Sequence, residues 1–245
     1  MNNPIFSWAQ WALLSVYLVI LAGAIVRMTG SGMGCPDWPK CFGYLIPPTE
    51  RSQLDWKPEN TYKKGNVIIY ENTLQVATKD FNSSTTIDLS NWGIYDKHDY
   101  TTFNATHTWV EFINRLLGAI SGLIVLGLFI CSLWWIRSTP ILAVFSFLTV
   151  VGMGIQAWLG KTVVDSNLLP SKISIHMIMA LLIVSGLLFV RANSHTNQIQ
   201  LPSKKCKNLI IFAFVLTLFQ FGLGLDVRQF IDYKIKQVGY DAPQL

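Results

Sequence analysis

Five runs of apolar residues dominate the chain: Trp8–Val26, Leu116–Ile136, Ile141–Leu159, Ile173–Val190 and Leu209–Leu225, with hardly a charge among them. Each is near the length an α-helix needs to cross ~30 Å of hydrocarbon. The protein is 51% hydrophobic and only 13% charged, and because those residues are clustered rather than spread periodically, a soluble domain is a poor solution. The runs predict an all-α membrane protein. Four helices form a transmembrane bundle, a fifth transmembrane helix follows, and a large extracytoplasmic loop separates helices 1 and 2. The Arg-Met-Thr-Gly-Ser sequence after the first run does not resemble a signal-peptidase site, so that run is retained as an anchor.

Orientation follows from the short loops, where lysine and arginine favour the cytoplasmic side. Arg137 lies between helices 2 and 3, and Arg191, Lys204, Lys205 and Lys207 lie between 4 and 5, against Lys161 and Lys172 in the opposite short loop. This places the N-terminus in the cytoplasm and the Arg27–Thr108 segment outside, in a multi-pass protein of the inner (plasma) membrane. The inner loop, next to anionic lipid, accounts for much of the net charge of +5, so no nucleic-acid partner is implied.

The outward segment begins with "GAIVRMTGSGMGCPDWPKCFG", rich in Gly, Pro, Trp and Cys, a composition suited to tight turns folded back on the membrane surface. Cys35 and Cys41 fall where oxidation is favoured, whereas Cys206 lies on the reducing side and Cys131 inside a helix. A Cys35–Cys41 disulfide is predicted; reduced thiols or half of a metal site are the alternatives. Farther on, "VIIYENTLQVATKDF" suggests short strands or an irregular cap.

Helical periodicity resumes near Thr106. His107, Glu111, Asn114 and Arg115 stand at i, i+4, i+7 and i+8, one face of a helix, and such a polar stripe must face protein rather than lipid. His176 lies one turn inside the outer end of helix 4, where an ionisable ring needs a partner or a ligand. Hydrogen bonding to a neighbouring helix and ligation of a metal or haem are both open for it. Glu111 is placed either for proton transfer and stabilisation of positive charge, with Arg27 or Arg115 as the offsetting cation, or in an i, i+4 pair with Arg115 that neutralises a helix end. His98 and His195 read as solvated side chains. Trp8, Trp11, Trp38, Trp109 and Trp158 lie near helix ends as an aromatic belt does. A weak repeat links "LAGAIVRMTGSG", "AWLGKTVVDSN" and "GLGLDVRQFID" at the outer ends of the odd helices, as if helix 5 began a further copy.

Taken together, the collar motif, "WVEFINRLLGAISG", "WLGKTVVDSNLLPSKISIHMIMA" and "FQFGLGLDVRQFID" resemble the haem A synthase family, whose members oxidise a methyl group of haem O to the formyl group of haem A. The resemblance covers the chain apart from the Glu50–Tyr100 insertion. It implies two pseudo-symmetric four-helix halves, the first holding the substrate haem O and the second a haem b cofactor. On this chain, residues 1–190 would be the haem-binding half, with its extracytoplasmic insertion at 28–107, and residues 208–245 the first helix of an incomplete second half. His176 falls on the iron ligand of the fourth helix, Glu111 on the catalytic acid, and Cys35 with Cys41 on the extracytoplasmic disulfide. Arg27, Asn114 and Arg115 become supporting residues. Beyond haem O and membrane lipid, the partners implied are a haem O synthase and an electron donor, with self-association left open.

Two departures from the family pattern stand out. Where relatives read Glu-x-x-His-Arg, this chain has Asn114 in place of the histidine, and an amide is a poor iron ligand. Either His107 supplies the second ligand through a shifted helix start, or His176 holds the iron alone and leaves a position open for chemistry. The second departure is the absence of helices 6–8, so a fragment or a half-module that needs a partner is expected. Two other readings compete with an oxidoreductase: a non-catalytic haem-binding or assembly subunit, and a membrane thiol–disulfide relay through Cys35 and Cys41.

Overall fold

A computed structural model describes residues 4–95, 103–166, 168–194 and 203–238; His98 and His195 lie outside them. Five long helices are present: α1 (Pro4–Met28), α2 (Ala105–Trp134), α3 (Pro140–Asp165), α4 (Pro170–Asn193) and α5 (Lys204–Val238). All five contain stretches long and apolar enough to cross a membrane. Their starts follow from local chemistry. Pro140 and Pro170 occupy the first turns of α3 and α4, where the missing N–H costs nothing. Asn104 caps α2 by accepting the His107 N–H at 3.2 Å.

The first four helices close into a ring in which α1 packs on α2 and α4, and α3 on the same two neighbours. One core joins them, with Ile5, Ala9 and Ala12 of α1 against Val125 and Leu128 of α2 and Leu187 of α4. Lipid provides no hydrophobic drive between helices, so close approach of small residues does much of the holding. A Cβ on Gly127 would fall 2.6 Å from the Trp8 ring, and one on Gly186 would fall 2.8 Å from Thr149. The hydroxyls of Ser15 and Ser121 meet at 3.0 Å between α1 and α2. α5 rests against α4, with Gln229 Nε2 3.4 Å from Ser174 Oγ, and its described side chains are exposed.

α2 has 30 residues, about 45 Å at ~1.5 Å per residue, so its first turns continue past the apolar run that begins at Leu116. Beside those turns lies the α1–α2 loop, which resolves into a collar (Thr29–Pro48) and a small β cap. In the cap, β1 (Thr61–Tyr62) pairs with β4 (Phe81–Asn82), and β2 (Val67–Tyr70), β3 (Thr73–Ala77) and β5 (Trp92–Ile94) form an antiparallel sheet in that order. The β2–β3 hairpin turns through Glu71 and Asn72, both at positive φ, as a two-residue turn matched to strand twist requires. The short strands anticipated from "VIIYENTLQVATKDF" are therefore present, as a minor β element in a mostly helical protein. Tyr62, Phe81 and Trp92 pack as an aromatic trio with centroids 5.0–5.6 Å apart. Leu54, Val67, Ile69 and Leu74 cover Cys35, Cys41 and Phe42, so the cap sits on the collar.

Candidate functional site

The polar stripe of α2 meets the collar. α1 ends at Met28; the next residue, Thr29, donates its hydroxyl back to the Ile25 carbonyl, and Gly30 at φ 68° turns the chain away. Phe42 and Gly43, both at positive φ, make the next reversal, tied by two main-chain hydrogen bonds between Cys41 and Tyr44. Cys35 and Cys41 are joined by a disulfide, as predicted. Asp37 spans this turn, accepting the Phe42 and Gly43 N–H groups, the latter at 2.8 Å. Burial raises the Asp37 carboxyl above its ordinary value of 3.8, against the opposing pull of those N–H groups and of Arg115.

Five hydrogen bonds, made by the side chains of Arg115, Glu111 and Thr108, fasten this collar to α2. Arg115 Nη1 donates to the carbonyls of Asp37 (2.7 Å) and Lys40 (3.0 Å), and its Nη2 donates to the Cys35 carbonyl (3.3 Å) and to Glu111 Oε1. Glu111, only 4% exposed, accepts the Cys35 N–H on Oε2 at 2.9 Å. Thr108 donates its hydroxyl to the Gly34 carbonyl at 2.8 Å. Gly34 is obligatory here, since a Cβ would fall 2.4 Å from the His107 carbonyl oxygen. Of the two tasks open to Glu111, the structure gives the ion pair with Arg115 and extends it: both carboxylate oxygens are engaged, one by the guanidinium and one by the collar backbone. A buried pair repays its desolvation only when its remaining hydrogen-bonding groups are satisfied, and three main-chain carbonyls do that for Arg115.

A second polar cluster lies between α3 and α4. Gln156 Nε2 donates to the main-chain carbonyl of His176 at 3.1 Å and lies 3.2 Å from the ring Nε2. His176 Nδ1 and Gln156 Oε1 are buried without a hydrogen-bond partner. A Cβ on Gly160 would stand 3.6 Å from His176 Cε1, so a bare helix face lies alongside the ring. On α2, Asn114 Oδ1 is likewise buried and unpartnered, with Gly23 of α1 beside it. Buried polar atoms are nearly always satisfied in folded proteins, so orphans at these positions point to a ligand or solvent that meets them.

The sequence-derived residues thus divide between two clusters. Glu111, Arg115, Cys35 and Cys41 come together on α2 and the collar, whereas His176 pairs with Gln156 across α3 and α4. His107, half-buried in the first turn of α2, gives its N–H to Asn104 and lays its carbonyl against Gly34. Arg27 is half-buried in the last turn of α1. Sequence reasoning passed over Asp37, Thr108 and Gln156. Gln156 was the findable one, as the single carboxamide in the apolar run Ile141–Leu159.

Among the described residues no three His, Cys, Asp or Glu side chains gather as a metal-binding group. An iron that arrives with its own macrocycle would ask one imidazole of the protein, and the half-buried ring of His176, with Nδ1 unpartnered and Nε2 met only by the Gln156 amide, is the residue that would supply it. Above the collar, a cleft of about 430 Å³ lies between the cap and α2, lined by Tyr44, Ile46, Lys57, Tyr62 and Trp109 among others.

Curated relatives include the heme A synthase of Shewanella oneidensis, 25% identical over 83% of this chain and 49% of the relative. The heme A synthase of Rickettsia prowazekii is 25% identical over 87% of this chain and 58% of its own length. That of Methylobacterium radiotolerans is 25% identical over 91% and 56%. The chain therefore spans about half the length of the curated relatives it matches. No solved structure matches it. The family profile described as cytochrome oxidase assembly protein (COX15-CtaA) matches residues 6–91 and 94–235. With that match covering the collar, the polar stripe and the His176 helix alike, the chain is a multi-pass membrane protein belonging to the cytochrome oxidase assembly protein family.

Proposed function

We propose that the chain acts in heme A biosynthesis as a heme A synthase-like oxidoreductase, with residues 1–190 forming a unit that holds haem O as substrate. Residues 208–245 contribute the first helix of a further unit, to which a haem b cofactor belongs. The observation that carries this reading is the half-buried imidazole of His176, whose Nδ1 has no protein partner and whose Nε2 meets only the neutral amide of Gln156, inside a bundle of this family. In the membrane the N-terminus faces the cytoplasm and the collar faces outward. A haem O synthase on the supply side and an electron donor are its partners.

Bound haem supplies the redox chemistry at iron. The chain's own residues bind, orient and exclude water. His176 holds the iron through its imidazole. Asn114 offers Oδ1 as a hydrogen-bond acceptor at the bundle interior. Arg115, Thr108 and the Cys35 amide fix the collar as a cover over the outer end of the bundle, keeping water from the reacting methyl group. Glu111 supplies the carboxylate of the site, which stabilises positive charge developing beside it. His107 serves the collar contact, and His176 is the protein ligand.

A pyridine haemochrome assay on the detergent-purified protein tests the assignment. Haem should co-purify with the wild type, or be taken up on titration, and should be lost in His176→Ala. Equal haem content in the two proteins, or none in either, overturns it.

One observation favours a second reading, a non-catalytic haem-binding assembly subunit: both oxygens of Glu111 are engaged by Arg115 and the collar. Glu111→Ala separates the two. Loss of methyl oxidation with haem binding retained supports the enzyme, whereas a wild type that binds haem without oxidising its methyl group supports the subunit.

A further inference from the structure

Gln156 is an expensive residue to place in a lipid-embedded helix pair, and its geometry gives it a task. Its Nε2 reaches two acceptors on one residue, the His176 carbonyl at 3.1 Å and the His176 ring Nε2 at 3.2 Å. A carboxamide nitrogen only donates, and it has two hydrogens to give. Reversing the carboxamide would set Oε1 against the His176 carbonyl oxygen, two acceptors face to face, so the network itself fixes which end is which. The ring Nε2 is therefore the acceptor, and the ring proton resides on Nδ1, which has no acceptor.

The geometry points to Gln156 as a positioning residue for His176, resting on the haem-binding reading above: it selects the tautomer whose Nε2 lone pair is free of a proton and occupies that lone pair until the iron takes it. Two consequences follow from the single contact. The imidazole is kept in the protonation form an iron requires, since a metal-binding ring nitrogen must be bare. The empty ligand position is also filled by a weak, neutral donor that a metal displaces without moving a charge. Gly160 leaves the flank of the ring clear of side chain, so the ring is held by the amide rather than wedged in place.

The test is a haem titration of the purified full chain followed by Soret absorbance, with hemin as the probe, on wild type, Q156L, Q156E and H176A. Q156L removes both the competing hydrogen bond and the tautomer selection, whose effects on affinity oppose, so its hemin affinity should stay within about five-fold of wild type while its His176 nitrogen NMR signals move toward a protonated Nε2. Q156E should weaken binding, because a carboxylate draws the proton onto Nε2. A residue that only packs would leave the same bare Nε2 in Q156L as in wild type, and that result overturns the proposal while leaving the haem site standing. Binding in H176A equal to that in wild type, or none in wild type, overturns both. Should the variants fail to fold, nitrogen NMR of the wild type labelled in histidine decides directly. The signal lost in H176A is expected to report a protonated Nδ1 and a bare Nε2; a protonated Nε2 overturns the proposal.

Discussion

Arg115 Nη1 lies 2.7 Å from the main-chain oxygen of Asp37, so a side chain roughly three turns into α2 holds a loop that left α1 far earlier in the sequence. Because the same guanidinium also reaches Lys40, Cys35 and Glu111, it acts as the hub of the collar. Arg115→Ala strips Glu111 of its partner and leaves a buried carboxylate, a loss of roughly 3–5 kcal/mol. Arg115→Lys should recover only part of it, since an ammonium lacks the planar fork. Thermal unfolding in detergent checks both; an Arg115→Lys protein as stable as wild type would mean that charge alone, without the fork, holds the collar.

Glycines in the collar should divide sharply by surroundings. A Cβ on Gly43 would fall 2.1 Å from the Gly65 carbonyl oxygen, whereas Gly65, also at positive φ, has nothing within 4 Å of its own. Gly65→Ala is expected to cost about 1–2 kcal/mol of left-handed strain. Gly43→Ala adds a backbone clash and should cost several-fold more, or prevent the cap from docking. Limited proteolysis of the cap ranks the two variants, and equal sensitivity would count against the packing described.

Asp37 predicts a pH dependence whose sign follows from burial. Its carboxyl titrates higher in the folded protein than the unfolded value of 3.8, so the folded state binds the proton more readily. The stabilisation is present in full below pH 3.8 and is lost as pH rises through the raised folded value. Asp37→Asn, which retains an acceptor oxygen for the turn, should remove this dependence. The stability difference between wild type and variant, followed by thermal unfolding from pH 3.5 upward, should therefore move against the wild type. A difference that stays flat across the range would contradict the desolvated carboxyl.

The Cys35–Cys41 bridge closes a six-residue separation, short enough that its stabilisation is about 2 kcal/mol on chain-entropy grounds. Reduction should loosen the collar without unfolding the bundle, whose core lies elsewhere. Faster proteolysis of the cap after reduction, with helical circular dichroism unchanged, is the expected result.

Membrane orientation has a chemical handle in Cys206, exposed in the first turn of α5. A membrane-impermeant maleimide should label it in inverted vesicles and not in intact cells. Cys131, buried in α2, should stay silent in both. Labelling in intact cells would reverse the proposed orientation.

Much of the architecture was legible because lipid imposes a simple rule. The apolar runs located all five helices, and the periodicity resuming near Thr106 located the outer turns of α2, which begins at Ala105; those turns face a protein collar and need no apolar surface. The stripe from His107 to Arg115 correctly faced protein. Its partners were not legible: Arg115 is met by main-chain carbonyls, which any sequence would supply, and their positions depend on turns at Phe42 and Gly43 that local spacing does not specify. The cap was half-visible, because β2 and β3 have strand-like runs, while β1, β4 and β5 are two or three residues long and exist only through tertiary pairing. Gln156 was missed for the opposite reason, a lone polar residue in an apolar run whose meaning lies on the neighbouring helix.

The bond from the Cys35 amide to Glu111 joins positions 76 apart, and that separation imposes an order on biosynthesis. The two cysteines lie six positions apart and both precede α2, so their bridge needs nothing from α2, whereas their docking surface does not exist until α2 has emerged. Docking of the collar therefore waits on the arrival of a single helix.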